Sequence, residues 1–291
     1  MQKIKIGTII EATNIKMISK LIPYGFETFA ITFGNTTAGH NLKTLSDEVK
    51  EMLDGTECKI SCISVFGNAL MDTNAGLDTR NGFYQLIDAA KLFGTDLVTG
   101  FAGRVTDKSV EESIPKFKEV FTDICKKAEE KNVRIAIENC SMGGNWGSGD
   151  LNIGFSPKAW ELMFDAVPYD NFGLQWEPAH QMAQLIDPIP QLRKWVPKIF
   201  NLHGKDSTIA WDVVKERGIY SGENYVWDRT PGFGDSNWTN IISILRMNGF
   251  EGSIDIEGFH DPVYRDELEY TGQIHALNYL KNCRGGDIIS L

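Results

Sequence analysis

The stretch SIDIEGFHD, residues 253–261, carries two kinds of residue in strict alternation. Ile254 and Ile256 form one face of a β-strand, and Asp255 and Glu257 form the other. Such alternation is usual in antiparallel sheets, where one face meets water, but a parallel sheet covered by helices is apolar on both faces. If this strand belongs to a parallel sheet, its acidic residues need a separate explanation.

Strand-like and helix-like segments alternate along the whole chain. Eight segments have the pattern of β-strands: 3–10, 26–33, 58–66, 95–101, 133–139, 172–177, 198–203 and 253–258. Helical patterns lie between them, and this α/β alternation predicts one (β/α)8 TIM barrel, a single domain that spans 1–291. The competing fold is a doubly wound open sheet, which usually has a glycine-rich turn after its first strand, whereas IEATNIKM at 10–17 has none. The segment 204–236 shows no clear strand and is predicted to be a long functional loop over the C-terminal face.

In a barrel, successive strand residues point alternately to the interior and to the surrounding helices. Four consecutive strands then end with an inward side chain that can bind a metal: Glu138, Glu177, His203 and Glu257. They lie at the C-terminal face, where barrel enzymes hold their active sites. Three buried carboxylates would repel one another or partly protonate without a cation. We therefore expect a divalent metal, Mn²⁺ first and Mg²⁺ or Co²⁺ as alternatives, since oxygen ligands with one imidazole suit these ions.

The composition limits the partners and the compartment. A net charge of −10 disfavours nucleic acid and anionic membranes, because a phosphate surface attracts basic proteins. No apolar run approaches membrane-spanning length, and no signal peptide is visible before the first strand. Five cysteines, an odd number without a CxxC pair, favour reduced thiols and a cytoplasmic protein. One of them, Cys140, lies near the predicted site and is interpreted as inert.

The chain resembles the xylose isomerase-like TIM-barrel family of sugar isomerases and epimerases, most specifically in its second half. The motifs that carry the resemblance are IAIEN at 135–139, FGLQWEPAHQ at 172–181, IFNLHGKD at 199–206, PGFGDSNW at 231–238 and GSIDIEG at 252–258. The resemblance again implies metal ligation by the four inward residues. It also implies proton transfer by Glu138 and Glu257, and substrate contact by His180 and Lys205.

Two positions depart from the family pattern. The ligand on the sixth strand is usually Asp in a motif like DPSH, whereas this chain has Glu177 in WEPAH, and the extra methylene could shift the metal or lower its occupancy. His260 stands in GFHDPVY, where many members place another acidic residue. It either enters the pocket or is a solvated loop histidine. Lys205 likewise either contacts substrate or pairs with Asp206 in a structural bridge.

Aromatic side chains are candidates for an apolar wall that stacks on a sugar face. They are Trp146, Phe66, Phe101 and Trp211, of which Trp146 and Phe101 are the ones expected to contact substrate. PGFGD at 231–235 lacks the lysine and the GK[ST] ending of a phosphate cradle, so it is predicted to be a tight turn before a helix.

Together, the residues and the resemblance predict a metal-dependent enzyme that acts on a small sugar or glycoside. A metal that holds a sugar's carbonyl and neighbouring hydroxyl acidifies the C–H bond between them, and Glu138 and Glu257 can remove and return the proton. We expect an isomerase or epimerase that works through an enediolate, and a homo-oligomer. The alternative is the catalytic subunit of a C-glycoside deglycosidase, a carbon–carbon lyase that cleaves 3-keto C-glucosides together with a small β subunit. In that case His180, His260 and the long loop 204–236 are the candidates for protonating the departing group and for admitting its flat ring.

Two other classes of protein are disfavoured. The DNA-repair endonuclease branch of the same barrel resembles a three-zinc enzyme rich in histidine ligands, whereas this chain has only five histidines and is acidic. A non-catalytic sugar-binding protein would not need a complete set of four ligands.

Overall fold

The computed structural model describes residues 3–258 and 260–286, so both ends of the predicted domain 1–291 lie outside the described part. The strands are β1 Ile4–Glu11, β2 Thr28–Thr32, β3 Lys59–Val65, β4 Leu97–Gly100, β5 Arg134–Glu138, β6 Phe172–Trp176, β7 Ile199–Gly204, β8 Asp206–Ile209, β9 Val226–Arg229 and β10 Gly252–Ile256. The α-helices are α1 Met17–Leu21, α2 Leu42–Leu53, α3 Asn74–Ala89, α4 Val110–Glu130, α5 Pro157–Ala166, α6 Ala179–Met182, α7 Pro188–Trp195, α8 Trp211–Arg217, α9 Trp238–Met247 and α10 Glu269–Arg284. Among the described residues, none of these helices has the length and apolarity needed to cross a bilayer.

Eight of the strands close into a barrel in the order β1-β10-β7-β6-β5-β4-β3-β2. The strand pairs are parallel, and helices follow the strands along the chain. The fold is therefore a single closed (β/α)8 barrel, which confirms the predicted fold class. The eight predicted strand segments coincide with the eight barrel strands to within two residues at each end.

Two compact units can be distinguished within the chain by the density of their internal contacts. One comprises Ile9–Trp176 and Lys198–Asn201. It contains β2 to β6, each paired in parallel with the next. Its helix layer is aromatic, because Phe117 and Phe121 of α4 stack at 4.7 Å between ring centroids and Phe121 also contacts Phe172 of β6.

Two polar side chains, Gln175 and Asn201, lie in the barrel interior of this unit. Gln175 on β6 donates a hydrogen bond to Oδ1 of Asn201 at 2.9 Å, and it also contacts Sγ of Cys62 at 3.7 Å. Since Cys62 lies on β3, the second contact crosses the interior of the barrel. Gln175 and Asn201 therefore point into the barrel interior. Strand alternation then directs the side chains two residues further along β6 and β7 to the same side.

The other unit comprises the described residues of Met1–Thr8, Glu177–Pro197 and Leu202–Leu291. Here β10 pairs in parallel with both β1 and β7, and Asp255 lies opposite His203 in the ladder. Ladder pairing at this register brings the C-terminal ends of β7 and β10 side by side. The strand quoted at the outset therefore belongs to a parallel sheet.

The prediction that 204–236 is a loop without a strand is wrong. Strands β8 and β9 lie within it as an antiparallel hairpin, with Ser207 opposite Asp228, and α8 lies between them. Each strand has only four residues, which is too short for an alternating pattern to stand out. The hairpin also depends on contacts distant in sequence, since the N–H of Thr230 donates to Asp261 at 2.8 Å.

Candidate metal centre

Three of the predicted ligands come together at the C-terminal ends of their strands. Glu177 directly follows β6, His203 is the penultimate residue of β7, and Glu257 directly follows β10. All three side chains are buried, and each offers one ligand atom within 4.8 Å of those of the other two. The direction of Glu177 and His203 follows from alternation, since they lie two residues beyond the inward side chains of Gln175 and Asn201.

Glu138, the fourth predicted ligand, is the last residue of β5 and is also buried. The Nδ2 amide of Asn152 donates to its backbone carbonyl at 2.9 Å. That Glu138 completes the set of metal ligands stays a prediction.

The chemistry of this donor set fits a divalent cation. Two carboxylates and one imidazole, with Glu138 as the predicted third carboxylate, bring an excess of negative charge into a buried region, which is costly unless a cation balances it. Carboxylate oxygens suit Mg²⁺ and Mn²⁺, and carboxylate with imidazole also suits Zn²⁺. The residues present are therefore able to hold the metal that the sequence predicts.

Glu257 has three basic neighbours. Nζ of Lys205 lies 3.0 Å from its Oε1, Nδ1 of His203 lies 3.1 Å from its Oε2, and Nε2 of His260 lies 3.2 Å from Oε1. Burial by itself raises the pKa of Glu257, but the charge of Lys205 and the hydrogen bonds from the two histidines hold that pKa well below its ordinary value. The carboxylate is therefore ionised, as metal ligation requires.

The other polar candidates lie beside these ligands. Nε2 of His180, in α6, is 2.6 Å from Oε1 of Glu177. Lys205 is buried and reaches the site through its ion pair with Glu257, while the neighbouring Asp206 accepts hydrogen bonds from Ser236 and Trp238. Contact of His180 and Lys205 with substrate stays a prediction, but both side chains touch a candidate metal ligand.

His260 answers one of the questions left open by the sequence. Its side chain is 47% exposed, and it nevertheless contacts Glu257. His260 is therefore a partly exposed loop histidine whose imidazole also contacts a candidate metal ligand. Its entry into the substrate pocket stays a prediction.

The aromatic candidates divide into separate groups. Phe66 and Phe101 contact each other with ring centroids 5.0 Å apart. Trp146 instead packs towards α4, where its indole N–H donates to Glu111 at 2.8 Å. Trp211 is half-exposed and lines a groove of about 370 Å³ beside α7. The described ring contacts therefore support a pair formed by Phe66 and Phe101, and substrate contact by Phe101 and Trp146 stays a prediction.

Sequence reasoning missed one residue near Glu138. Cys140, interpreted as inert, lies two residues after Glu138, and its carbonyl accepts from Nδ2 of Asn152 at 2.7 Å. Asn152 holds the backbone of Glu138 and Cys140 from the far end of an irregular loop, and no periodic pattern marks it.

Comparison with known proteins defines the class. The sequence model of the xylose isomerase-like TIM barrel family matches residues 19–283, and the chain belongs to this family. Inosose dehydratase from Clostridium tetani is 24% identical over 267 residues, which cover 86% of this chain and 85% of that protein.

Two solved structures share the fold. The apo form of 3-keto-D-glucoside 4-epimerase from E. coli aligns with a TM-score of 0.72 at 14% identity, covering 96% of this chain and all of that one (100%). The IOLI protein with a bound zinc atom aligns with a TM-score of 0.66 at 21% identity, covering 96% of each chain. These two likenesses show the shared fold, and the family to which the chain belongs is the one that the sequence motifs indicate, the xylose isomerase-like TIM barrel.

Proposed function

We propose that this protein is a divalent-metal-dependent sugar isomerase or epimerase that moves a proton on a carbon beside a carbonyl. The observation that carries the proposal is the buried set of Glu177, His203 and Glu257, whose ligand atoms lie within 4.8 Å of one another. The substrate named for the E. coli epimerase, a 3-keto-D-glucoside, carries the ketone that such chemistry needs. A keto-sugar or keto-glycoside is therefore the substrate class that we propose.

The metal would be held by Glu138, Glu177, His203 and Glu257, and when bound it would act as a Lewis acid that polarises a substrate carbonyl. The oxygen-rich donor set favours Mn²⁺. Zinc is the alternative, supported by the zinc in the IOLI structure.

The chain's own residues carry the proton transfers. Glu257, kept ionised by Lys205, accepts a proton from the substrate carbon, and Glu138 returns a proton to it. Buried carboxylates suit this work because the site excludes competing water. Lys205 and His260, both within hydrogen-bonding distance of Glu257, can donate to substrate oxygens once the Glu257 carboxylate turns towards the substrate.

Two other outcomes begin with the same proton abstraction. The inosose dehydratase relative indicates elimination of water from the carbon beside the abstracted proton. The second candidate is the C-glycoside deglycosidase, in which an aryl carbon leaves and an acid must protonate it. The half-exposed imidazole of His260 beside Glu257 favours this candidate, because it is open to a bulky group and can hold a proton.

Proton NMR in D₂O distinguishes these outcomes. The purified protein, supplied with Mn²⁺ or Zn²⁺, is incubated separately with free ketoses, ring ketones of cyclic polyols, and 3-keto C-glucosides. We expect deuterium beside the carbonyl and return of the sugar as its isomer or epimer. Loss of water would establish the dehydratase, and release of aglycone without turnover of any free sugar would establish the lyase. Absence of exchange in every substrate would contradict the proposed function.

A further inference from the structure

Asn152 is a buried asparagine whose amide makes four hydrogen bonds. Its Nδ2 donates to the carbonyls of Glu138 at 2.9 Å and Cys140 at 2.7 Å. Its Oδ1 accepts from the N–H groups of Ala102 at 3.1 Å and Gly154 at 2.9 Å. An asparagine amide has two donor hydrogens and two acceptor lone pairs, so the side chain is fully used. With 1% of its surface exposed, it has no remaining role towards solvent.

These bonds join the C-terminal ends of two neighbouring strands. Glu138 ends β5, and Ala102 lies two residues beyond the end of β4. Asn152 also forms a parallel bridge with Gly103, whose carbonyl accepts from the N–H of Ile153 at 3.1 Å. Asn152 therefore extends the backbone hydrogen bonding beyond the last ladder bonds of β4 and β5, next to Glu138.

The loop between Cys140 and Asn152 needs such a support. Four of its eleven residues are glycine, which gives the backbone little intrinsic stiffness. The buried guanidinium of Arg104 holds the middle of the loop by donating to the carbonyls of Asn145 at 2.7 Å and Trp146 at 3.2 Å. Asn152 joins the two ends of this loop, because it stands at the second end and donates to Cys140 and Glu138 at the first.

We propose that Asn152 is a positioning residue for Glu138: it fixes the backbone at the end of β5 so that the Glu138 carboxylate keeps the place from which it binds metal. This inference rests on the proposed function, in which Glu138 is a metal ligand. Residues that orient metal ligands from behind are worth about 10–100-fold in metal affinity. Loss of the two donated bonds lets the strand end move and weakens the metal site.

The same strand offers a matched control at its other end. Nδ2 of Asn171 also donates to two backbone carbonyls, those of Cys125 at 3.0 Å and Val133 at 3.1 Å. Val133 precedes β5 and Asn171 precedes β6, so these bonds lie at the N-terminal face of the barrel. That face contributes to stability, whereas the C-terminal face carries the chemistry. Substitution of either asparagine by serine removes two bonds donated to backbone carbonyls, and at Asn152 it also removes the two bonds that Oδ1 accepts.

The test compares Asn152→Ser with Asn171→Ser. Affinity for Mn²⁺ alone, and for Zn²⁺ alone, is measured on chelator-treated protein by competition with a coloured chelator, well below the melting temperature of each variant. We expect both variants to melt at a lower temperature than the wild type. We expect only Asn152→Ser to bind metal more weakly, by about 10–100-fold.

Equal metal affinity in the two variants would overturn the inference and leave the proposed function intact, because the wild type would still bind metal. A wild type that binds neither ion would overturn both. If Asn152→Ser does not fold, the pair Asn152→Gln and Asn171→Gln, which keeps an amide one methylene further out, is judged by the same criterion.

Discussion

Replacement of Lys205 by methionine tests whether a metal balances the buried carboxylates. Lys205 is 3% exposed, and its Nζ lies 3.0 Å from Oε1 of Glu257. Methionine keeps much of the length and apolar volume of lysine and removes the charge. Breaking a buried ion pair from one side costs about 3–5 kcal/mol, because the remaining charge is left uncompensated. A bound divalent cation supplies that compensation, so most of the cost should disappear when metal is present.

Thermal unfolding of the wild type and Lys205→Met, in chelator and in excess Mn²⁺, measures this difference. For a chain of this size 1 kcal/mol corresponds to about 2 °C, so we expect a fall of about 6–10 °C in chelator and a much smaller fall in Mn²⁺. Lys127→Met is the control, since its pair with Asp88 at 2.7 Å is 32% exposed on the lysine side and is worth at most about 1 kcal/mol under either condition. A fall for Lys205→Met that is the same with and without metal would refute the reasoning.

Two further predictions concern carboxylates. Glu138→Gln and Glu257→Gln should each keep the fold and lower turnover by about 10²–10⁴-fold. If a variant still exchanges substrate C–H with solvent deuterium at the wild-type rate, the residue it replaces is not the essential base. Burial raises the pKa of Asp261, but backbone N–H groups, that of Thr230 first, and the Arg229 guanidinium outweigh burial and leave this pKa below its ordinary value. The resulting stabilisation is complete above about pH 4 and is lost as the pH falls through the lowered pKa. In chelator, Asp261→Asn should therefore melt at a lower temperature than the wild type at pH 7, and the two melting temperatures should converge below pH 4. A difference in melting temperature that stays constant with pH would show that the Asp261 carboxylate does not cause the acid dependence.

The cluster of Glu177, His203 and Glu257 could be predicted from sequence because its residues lie on strands or directly follow them. A period of two fixes the side of the sheet to which Glu177 and His203 point, once Gln175 and Asn201 are assigned to the interior. The C-terminal ends of parallel strands meet at one face of a barrel, so residues far apart in sequence are predicted to converge. The contact between Gln175 and Asn201 shows that this logic is sound for β6 and β7.

Loop side chains escaped the same reasoning, because no period fixes their direction. Trp146 is a candidate for a sugar-stacking wall from residue type alone, and no sequence period predicts that its indole donates to Glu111 of α4. Asn152 supports Glu138 across fourteen residues of chain, and only the folded backbone reveals the contact. The hairpin of β8 and β9 was missed for a related reason, since its short strands are held by distant groups such as Asp261.

Elemental analysis of protein purified without chelator tests the central claim most directly. The wild type should contain about one divalent metal ion per chain, and His203→Ala, which removes the imidazole from the donor set, should lose most of it while remaining folded. A folded His203→Ala variant with the same metal content as the wild type would contradict the account, because the metal would then lie elsewhere.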